Sequence, residues 1–364
     1  MKTIVLGGYG NFGARIVRAL ANWPGIDLVV AGRSAVKANH LATECGVAAA
    51  VIDINDPLLA GKLAHLGAAL VIHTAGPFQE QGYAVALAAA AAGAHYIDLA
   101  DGRRFVCDFP AALNPAFCAQ DRQAITGAST VPALSSAVID HLCAGWRSVD
   151  DIDYCIAPAQ TAPRGVATLA GVLSYCGAPI DVWQGGRWVT QYGWCAPQQV
   201  AFARLKPRIG ALCDIPDLEL FPAYYPGVQS VMFRAALEVS VSQRALAVIG
   251  ALRRYGVISR PERLAAIMNR SADGLDRFGS ALGGMVVRVR GIDSHGAPAS
   301  AAWHISADDD SGPEIPCMAA ILLARRLAAG QAVVAGAFTS VSQLSLADFE
   351  PEFGKWGMVT ELGA

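Results

Sequence analysis

The sequence predicts an α/β protein: an N-terminal doubly wound parallel sheet followed by a second, α+β domain. Two observations carry this. Over about the first 145 residues, short apolar and β-branched runs alternate with helix-period segments between brief Gly- and Pro-marked turns, the pattern of strands joined by crossover helices. The first of these units also passes from strand to helix through Gly7-Gly8-Tyr9-Gly10-Asn11-Phe12-Gly13.

In order, Thr3 to Leu6 is a strand, and Phe12, Ile16, Val17 and Leu20 then recur at helical spacing. In the turn between them, Gly8 serves the sharp exit from the strand, Gly10 lets backbone approach a pyrophosphate, and Gly13 lets the helix pack on the strand. The amides of that helix N-terminus face an anion. Pro24-Gly25 breaks the chain before a second strand, Asp27 to Ala31, which ends at Gly32-Arg33-Ser34; a helix over 34–44 stops at Gly46. Ala48 to Ile54 is the third strand, with Asp53 near its end, and Asp56-Pro57 supplies an N-cap and a first-turn proline. The fourth, Ala68 to Thr74, closes in Ala75-Gly76-Pro77-Phe78. Residues 83–94 are an alanine-rich crossover helix, too short for about 30 Å of hydrocarbon. His95 to Leu99 is the fifth strand, and the sixth, Ala124 to Gly127, runs into Ala128-Ser129-Thr130-Val131-Pro132 before a helix over about 133–146.

From Asp150 the βα alternation stops. Strands are expected at 151–157, within 228–239, at 284–290 and at 299–306, and helices at 166–176 and within 243–270. A hairpin turn at 184–187 joins 181–183 to 188–194. Strands mixed with helices in this way describe a mostly antiparallel sheet. A strong helix, Ile315 to Leu327, ends at Gly330. The expected organisation is therefore 1–147, 148–311, and a C-terminal helix and tail over 312–364 that pack back on the first domain.

Of the 364 residues 54% are hydrophobic and 16% charged, which implies a large buried core. The net charge of −2 gives no reason to expect nucleic acid or an anionic bilayer as partner. Nine cysteines with no CxxC pair read as reduced core residues of a cytoplasmic protein rather than as a metal site. The chain opens directly on a core strand, which leaves no room for a signal peptide. Residues 246–258 are apolar with Arg253-Arg254 near the end; they read first as core or dimer interface and only second as a membrane-surface helix.

In an open α/β sheet ligands bind beyond the carboxyl ends of the strands, which makes the strand-end loops the candidate site. An acidic residue at the end of the second strand would accept from a free ribose 2′-hydroxyl. Arg33 and Ser34 stand there instead and suit a 2′-phosphate, hence NADP(H); the plain alternative is a solvated arginine and a helix N-cap. Asp53 either touches the adenine edge or caps. Thr74, Ala75, Gly76, Pro77 and Phe78 allow close approach of ribose and nicotinamide, or form an ordinary turn. Ser129 and Thr130 hold the carboxamide or bond the local backbone. His73, Asp98, Asp101 and Arg103 lie at the strand ends nearest the expected nicotinamide, where one can relay a proton and Arg103 can hold a carboxylate; loop-structuring ion pairs are the alternative. Arg204, Lys206 and Arg208 alternate, which would put three cations on one face of a strand, though Pro207 favours an edge or loop.

Taken together, Gly7 to Gly13, Ala31-Gly-Arg-Ser34, His73-Thr-Ala-Gly-Pro-Phe78, His95-Tyr-Ile-Asp-Leu-Ala-Asp-Gly102 and Gly127-Ala-Ser-Thr-Val-Pro132 resemble the saccharopine dehydrogenase-like NADP-binding family. Asp217-Leu-Glu-Leu-Phe-Pro222 and Gly312-Pro-Glu-Ile-Pro316 resemble its uncharacterised bacterial members more weakly. The resemblance implies a Rossmann domain, an inserted domain that carries substrate specificity and often dimerises, and a last helix, suited by 313–329, that returns to the Rossmann domain. No match to the substrate-binding residues of true saccharopine enzymes is found. The expected function is an NADP-dependent oxidoreductase acting on a C=O, C=N or activated C=C of a small metabolite; a non-catalytic NADP-binding redox sensor is the alternative.

Overall fold

A computed structural model describes residues 1–163 and 165–363. The chain divides into two compact units, Met1–Leu134 with Glu314–Leu344, and Ser135–Pro313 with the tail from Ser345.

The first unit alternates β1 (Lys2–Leu6), α1 (Asn11–Leu20), β2 (Asp27–Gly32), α2 (Ala35–Cys45), β3 (Ala48–Val51), α3 (Leu59–His65), β4 (Leu70–His73), α4 (Ala84–Ala91), β5 (His95–Asp98), α5 (Arg103–Cys118) and β6 (Gln123–Thr126). The strands are parallel, in the spatial order β6-β5-β4-β1-β2-β3, and a short strand Gly336–Thr339 adds in parallel beside β6. Helices cover such a sheet on both faces, and for that reason Ile4, Val5, Leu6, Val71 and Ile72 are all fully buried and read as unbroken apolar runs. Helix Ile315–Ala328 packs against α1, where Cys317 lies on the Phe12 carbonyl and Arg15 meets Glu314 at 3.1 Å.

The second unit is built on a nine-stranded sheet. Its strands run Gln198–Val200, Arg208–Leu212, Ser230–Ala235, Ser148–Ala157, Gly283–Ile292, Pro298–Ala307 and Val359–Gly363, and the hairpin Pro179–Gln184/Arg187–Tyr192 joins through Ser230–Ala235. Pairing is antiparallel except between Ser230–Ala235 and Ser148–Ala157. Period-2 alternation is plain: Ile152 and Tyr154 are fully buried, while Asp151 and Asp153 on the other face meet Arg290 at 3.2 Å and Arg234 at 2.7 Å.

Several expectations are corrected. Strand β3 ends at Val51 because Asp53 turns the chain, its Oδ1 accepting from the Asn55 amide at 3.0 Å. The first boundary falls at Leu134, not 147: helix Ser135–Leu142 buries Ser135 to Ile139 and packs on strands Gly283–Ile292 and Pro298–Ala307 of the second unit. The tail does not all return to the first unit. Helix Leu346–Lys355 and strand Val359–Gly363 belong to the second, the strand pairing with Pro298–Ala307.

Arg204, Lys206 and Arg208 form no common face. The strand starts at Arg208, which is buried and donates to the carbonyls of Pro158 and Leu282, whereas Arg204 and Lys206 are exposed in the preceding loop. Helix Ser240–Arg254 uses its basic end internally: Arg253 donates to the Ser174 and Cys176 carbonyls, and Arg254 sits 4.1 Å from the Tyr192 ring centroid. Among the described residues no helix is long and apolar enough to cross a membrane.

Candidate cofactor site

The site begins where the strand order reverses. Strand β1 lies between β2 and β4, so the loops leaving β1 and β4 diverge at the topological switch point. The Gly7–Gly13 turn and the Thr74–Phe78 segment meet there, since the Thr74 amide and hydroxyl both donate to the Leu6 carbonyl at 2.9 Å.

Each glycine in the turn has its own reason. The left-handed residue at the strand exit is Gly7, with φ +76, and not Gly8; a Cβ on Gly7 would also come 2.9 Å from Thr74 Oγ1. Gly8 is required by packing, because a Cβ there would lie 2.8 Å from the Val5 carbonyl and 3.1 Å from Val30 Cγ1. At Gly13 the Cβ would sit 2.3 Å from the Gly7 carbonyl, so only glycine lets α1 approach the strand this closely. Gly10 differs from these, since its Cβ would meet only the Gly7 carbonyl, at 3.0 Å. It is exposed, it begins α1 with no side-chain cap, and no acidic residue stands in the first turn. The first amides of a helix have no intrahelical acceptor, so this end suits an anion whose oxygens come close to backbone. Asn11 and Phe12, both half-buried, are its first helical residues.

At the end of β2, Arg33 is exposed and Ser34 caps α2, its Oγ accepting from the Lys37 amide at 3.4 Å. The Tyr9 ring, from the middle of the glycine turn, lies over Gly32, where a Cβ would fall 2.5 Å from Tyr9 Cε1. Its hydroxyl accepts from the Ser34 amide at 2.9 Å. Asp53 serves its own turn, the capping alternative.

Beyond β4, Gly76 and Pro77 are exposed and Thr74 and Ala75 half-buried. Gln81 Nε2 holds this segment by donating to the Ala75 and Pro77 carbonyls at 2.7 and 2.8 Å. Phe78 turns inward, its ring 5.0 Å from His73 and 5.3 Å from Phe105. Ser129 is half-buried with its amide on the Gly127 carbonyl at 2.7 Å, and Thr130 is buried.

The expected catalytic group divides in two. His73 and Asp98 are in register on β4 and β5, and both are buried. His73 Nδ1 lies 3.0 Å from the Tyr96 hydroxyl, and burial pushes its pKa down to about 4, only partly offset by the Ala75 backbone. Asp98 Oδ1 accepts from the Ala100 amide, the Gly127 amide and Thr126 Oγ1 at 2.8–2.9 Å, tying β5 to the exit of β6. Burial nevertheless raises this carboxyl to about 6. Neither side chain reaches solvent; a strand-end position in a sheet covered on both faces is still an interior one. Asp101 is exposed and accepts from Gln79 Nε2 at 3.0 Å, and Arg103 is half-buried at the start of α5. Tyr96 and Gln81 carry no signal in the sequence, Tyr96 lying within a buried strand and Gln81 in an irregular loop.

Residues 3–131 match the model of the saccharopine dehydrogenase NADP binding domain. The first unit thus carries a saccharopine dehydrogenase-like NADP-binding domain. Among solved structures, saccharopine dehydrogenase (L-Glu forming) from Saccharomyces cerevisiae is similar over 100% of both chains, at TM-score 0.69 and 12% identity. Homospermidine synthase from Legionella pneumophila, in complex with NAD, is similar over 100% of this chain and 91% of its own, at TM-score 0.61 and 9% identity. At these identities the likeness is one of fold. Among curated proteins no sequence matches this chain.

Proposed function

We propose that this chain is an NADP(H)-dependent oxidoreductase that moves hydride between nicotinamide C4 and a C=O, C=N or activated C=C of a small metabolite. The observation that carries the reading is the opening of α1: an exposed, uncapped glycine end at the switch point of a parallel sheet, inside the segment that matches an NADP binding domain. The nicotinamide supplies the hydride when bound; the residues of the chain bind, orient and shield it. In this reading Gly10 and the first turn of α1 hold the pyrophosphate, Arg33 and Ser34 the 2′-phosphate, Thr74 to Pro77 the nicotinamide ribose, and Ser129 the carboxamide. Asp101 and Arg103 are the polar groups placed to meet substrate. His73 and Asp98 act from beneath, as supports of the β4 and β5 exits.

The test is a titration of wild type and Gly10→Val with NADPH, followed by quenching of tryptophan emission. A branched side chain at Gly10 blocks the phosphates and on the protein side meets only the Gly7 carbonyl, 3.0 Å from its Cβ, so binding should fall at least about a hundredfold while the circular dichroism spectrum stays that of a folded protein. Equal affinity in a folded variant removes the pyrophosphate site from Gly10. Tight NADPH binding with no oxidation or reduction of any carbonyl, imine or enone in a broad panel would favour a redox-sensing role.

A further inference from the structure

The geometry points to Tyr9 as a third ligand of the cofactor's 2′-phosphate and a determinant of NADP(H) over NAD(H). The inference rests on the NADP(H) reading above and adds to it a residue from a different strand exit. Three facts support it. The ring lies over Gly32, where the absence of a Cβ makes room for it, and its hydroxyl is held beside the end of β2, where Arg33 and Ser34 stand, by the Ser34 amide. The hydroxyl oxygen already accepts the Ser34 amide at 2.9 Å, and its proton is donated to no other group among the described residues. Ser34 Oγ is in the same condition: it accepts from the Lys37 amide and donates to nothing among the described residues.

Two hydroxyls whose oxygens each accept from a backbone amide still have their protons to offer, and the exposed Arg33 guanidinium offers only protons. The strand end is therefore rich in donors. It suits a phosphate, which has only acceptor oxygens at full charge, better than a 2′-hydroxyl, for which no carboxylate stands there to accept the proton. Because the Ser34 amide polarises the Tyr9 phenol, the two bonds reinforce each other along the chain amide, hydroxyl, phosphate.

The experiment compares wild type with Tyr9→Phe, which keeps the ring over Gly32 and removes only the hydroxyl. Dissociation constants are measured for NADPH, NADH, adenosine 2′,5′-bisphosphate and 5′-AMP at several salt concentrations. The expected result is about tenfold weaker binding of the two 2′-phosphorylated ligands, with NADH and 5′-AMP changed less than about twofold. The salt dependence of NADPH binding should stay that of wild type, since a neutral donor is lost, whereas Arg33→Gln should flatten it. Equal losses for all four ligands would reduce Tyr9 to a packing residue and overturn the inference, as would an unchanged or improved preference for the phosphorylated pair. If wild type prefers NADPH and Arg33→Gln abolishes that preference while Tyr9→Phe does not, the inference alone fails. If wild type binds neither NADPH nor NADH, or both equally, the NADP(H) reading fails with it.

Discussion

In the proposed reading, cofactor choice turns on single residues at the end of β2. A guanidinium beside a phosphate contributes roughly 1.5–3 kcal/mol through charge-assisted hydrogen bonds, or on the order of ten- to a hundredfold in affinity. Arg33→Asp replaces that cation with a carboxylate that repels phosphate and can accept from a 2′-hydroxyl, so the NADPH/NADH preference should reverse. Paired titrations at fixed moderate salt measure it, and a ratio that does not move would leave Arg33 a solvated residue. The Arg33-Ser34 pair is legible in the sequence because both residues follow one strand. Tyr9 is legible only as part of the glycine turn. Its hydrogen bond to Ser34 spans 25 positions and depends on what Gly32 lacks, and no spacing rule encodes that. The glycines are legible as a motif but not in their division of labour, since only the folded backbone separates a left-handed Gly7 from a Gly8 that is merely crowded. His73 and Asp98 can be placed on their strands from sequence but not with respect to solvent, because burial behind a loop is not written in a strand's own residues.

The βαβ elements of the first unit are readable because each strand is an apolar run bounded by glycine or a polar loop. The glycine turn links two of them mechanically. A methyl at Gly13 would overlap the Gly7 carbonyl and come 2.7 Å from Thr74 Oγ1, so α1 would have to lift off both the β1 exit and the β4 exit. Gly13→Ala should therefore cost about 1–3 kcal/mol or more in stability, as overpacking does, while Gly10→Ala, exposed at the helix start, should cost far less. Thermal unfolding of the two variants decides it; equal midpoints would mean that α1 can shift freely. The elements that the sequence hides share a different cause. Helices Asp217–Tyr224 and Leu346–Lys355 contain Pro222 and Pro351, and the strand starting at Arg208 directly follows Pro207, so proline masks them. The capping box of Ser345 and Asp348 is a readable start signal for the later helix. Strand Val359–Gly363 is exposed throughout, with no alternation to betray it, and nothing local says which sheet edge a lone strand will join. For that reason the unit to which the tail belongs is not written in the tail itself.

At the scale of the molecule the chain crosses between units three times, after Leu134, after Pro313 and after Leu344, so each unit is completed by a distant segment. Each also buries ionisable groups, and their signs differ. In the first unit His73, held near 4 against an ordinary 6.5, loses its contribution to stability as pH falls through that interval, whereas Asp98, held near 6, loses its own as pH rises from about 4 to about 6. These oppose one another. In the second unit Asp217 is fully buried, its Oδ2 accepting from Ser135 Oγ and Tyr154 Oη at 2.6 Å each and its Oδ1 without a partner among the described residues. Burial raises this carboxyl to about 7, outweighing the two hydroxyls that favour the anion. A carboxyl whose folded pKa lies above its unfolded one stabilises fully below the unfolded value of 3.8, and that stability is lost as pH rises through about 7. Asp217→Asn keeps the shape and cannot ionise. The stability of wild type relative to this variant should thus decline between about pH 4 and pH 8 by an amount on the order of a few kcal/mol, since each tenfold difference in acidity between the folded and unfolded carboxyl is worth about 1.36 kcal/mol. Urea unfolding of both proteins at about pH 4, 6 and 8 measures it. A stability of wild type relative to Asp217→Asn that is constant with pH, or that rises toward alkaline pH, would show that Asp217 is already ionised in the folded protein and that the charge is accommodated by Ser135 and Tyr154.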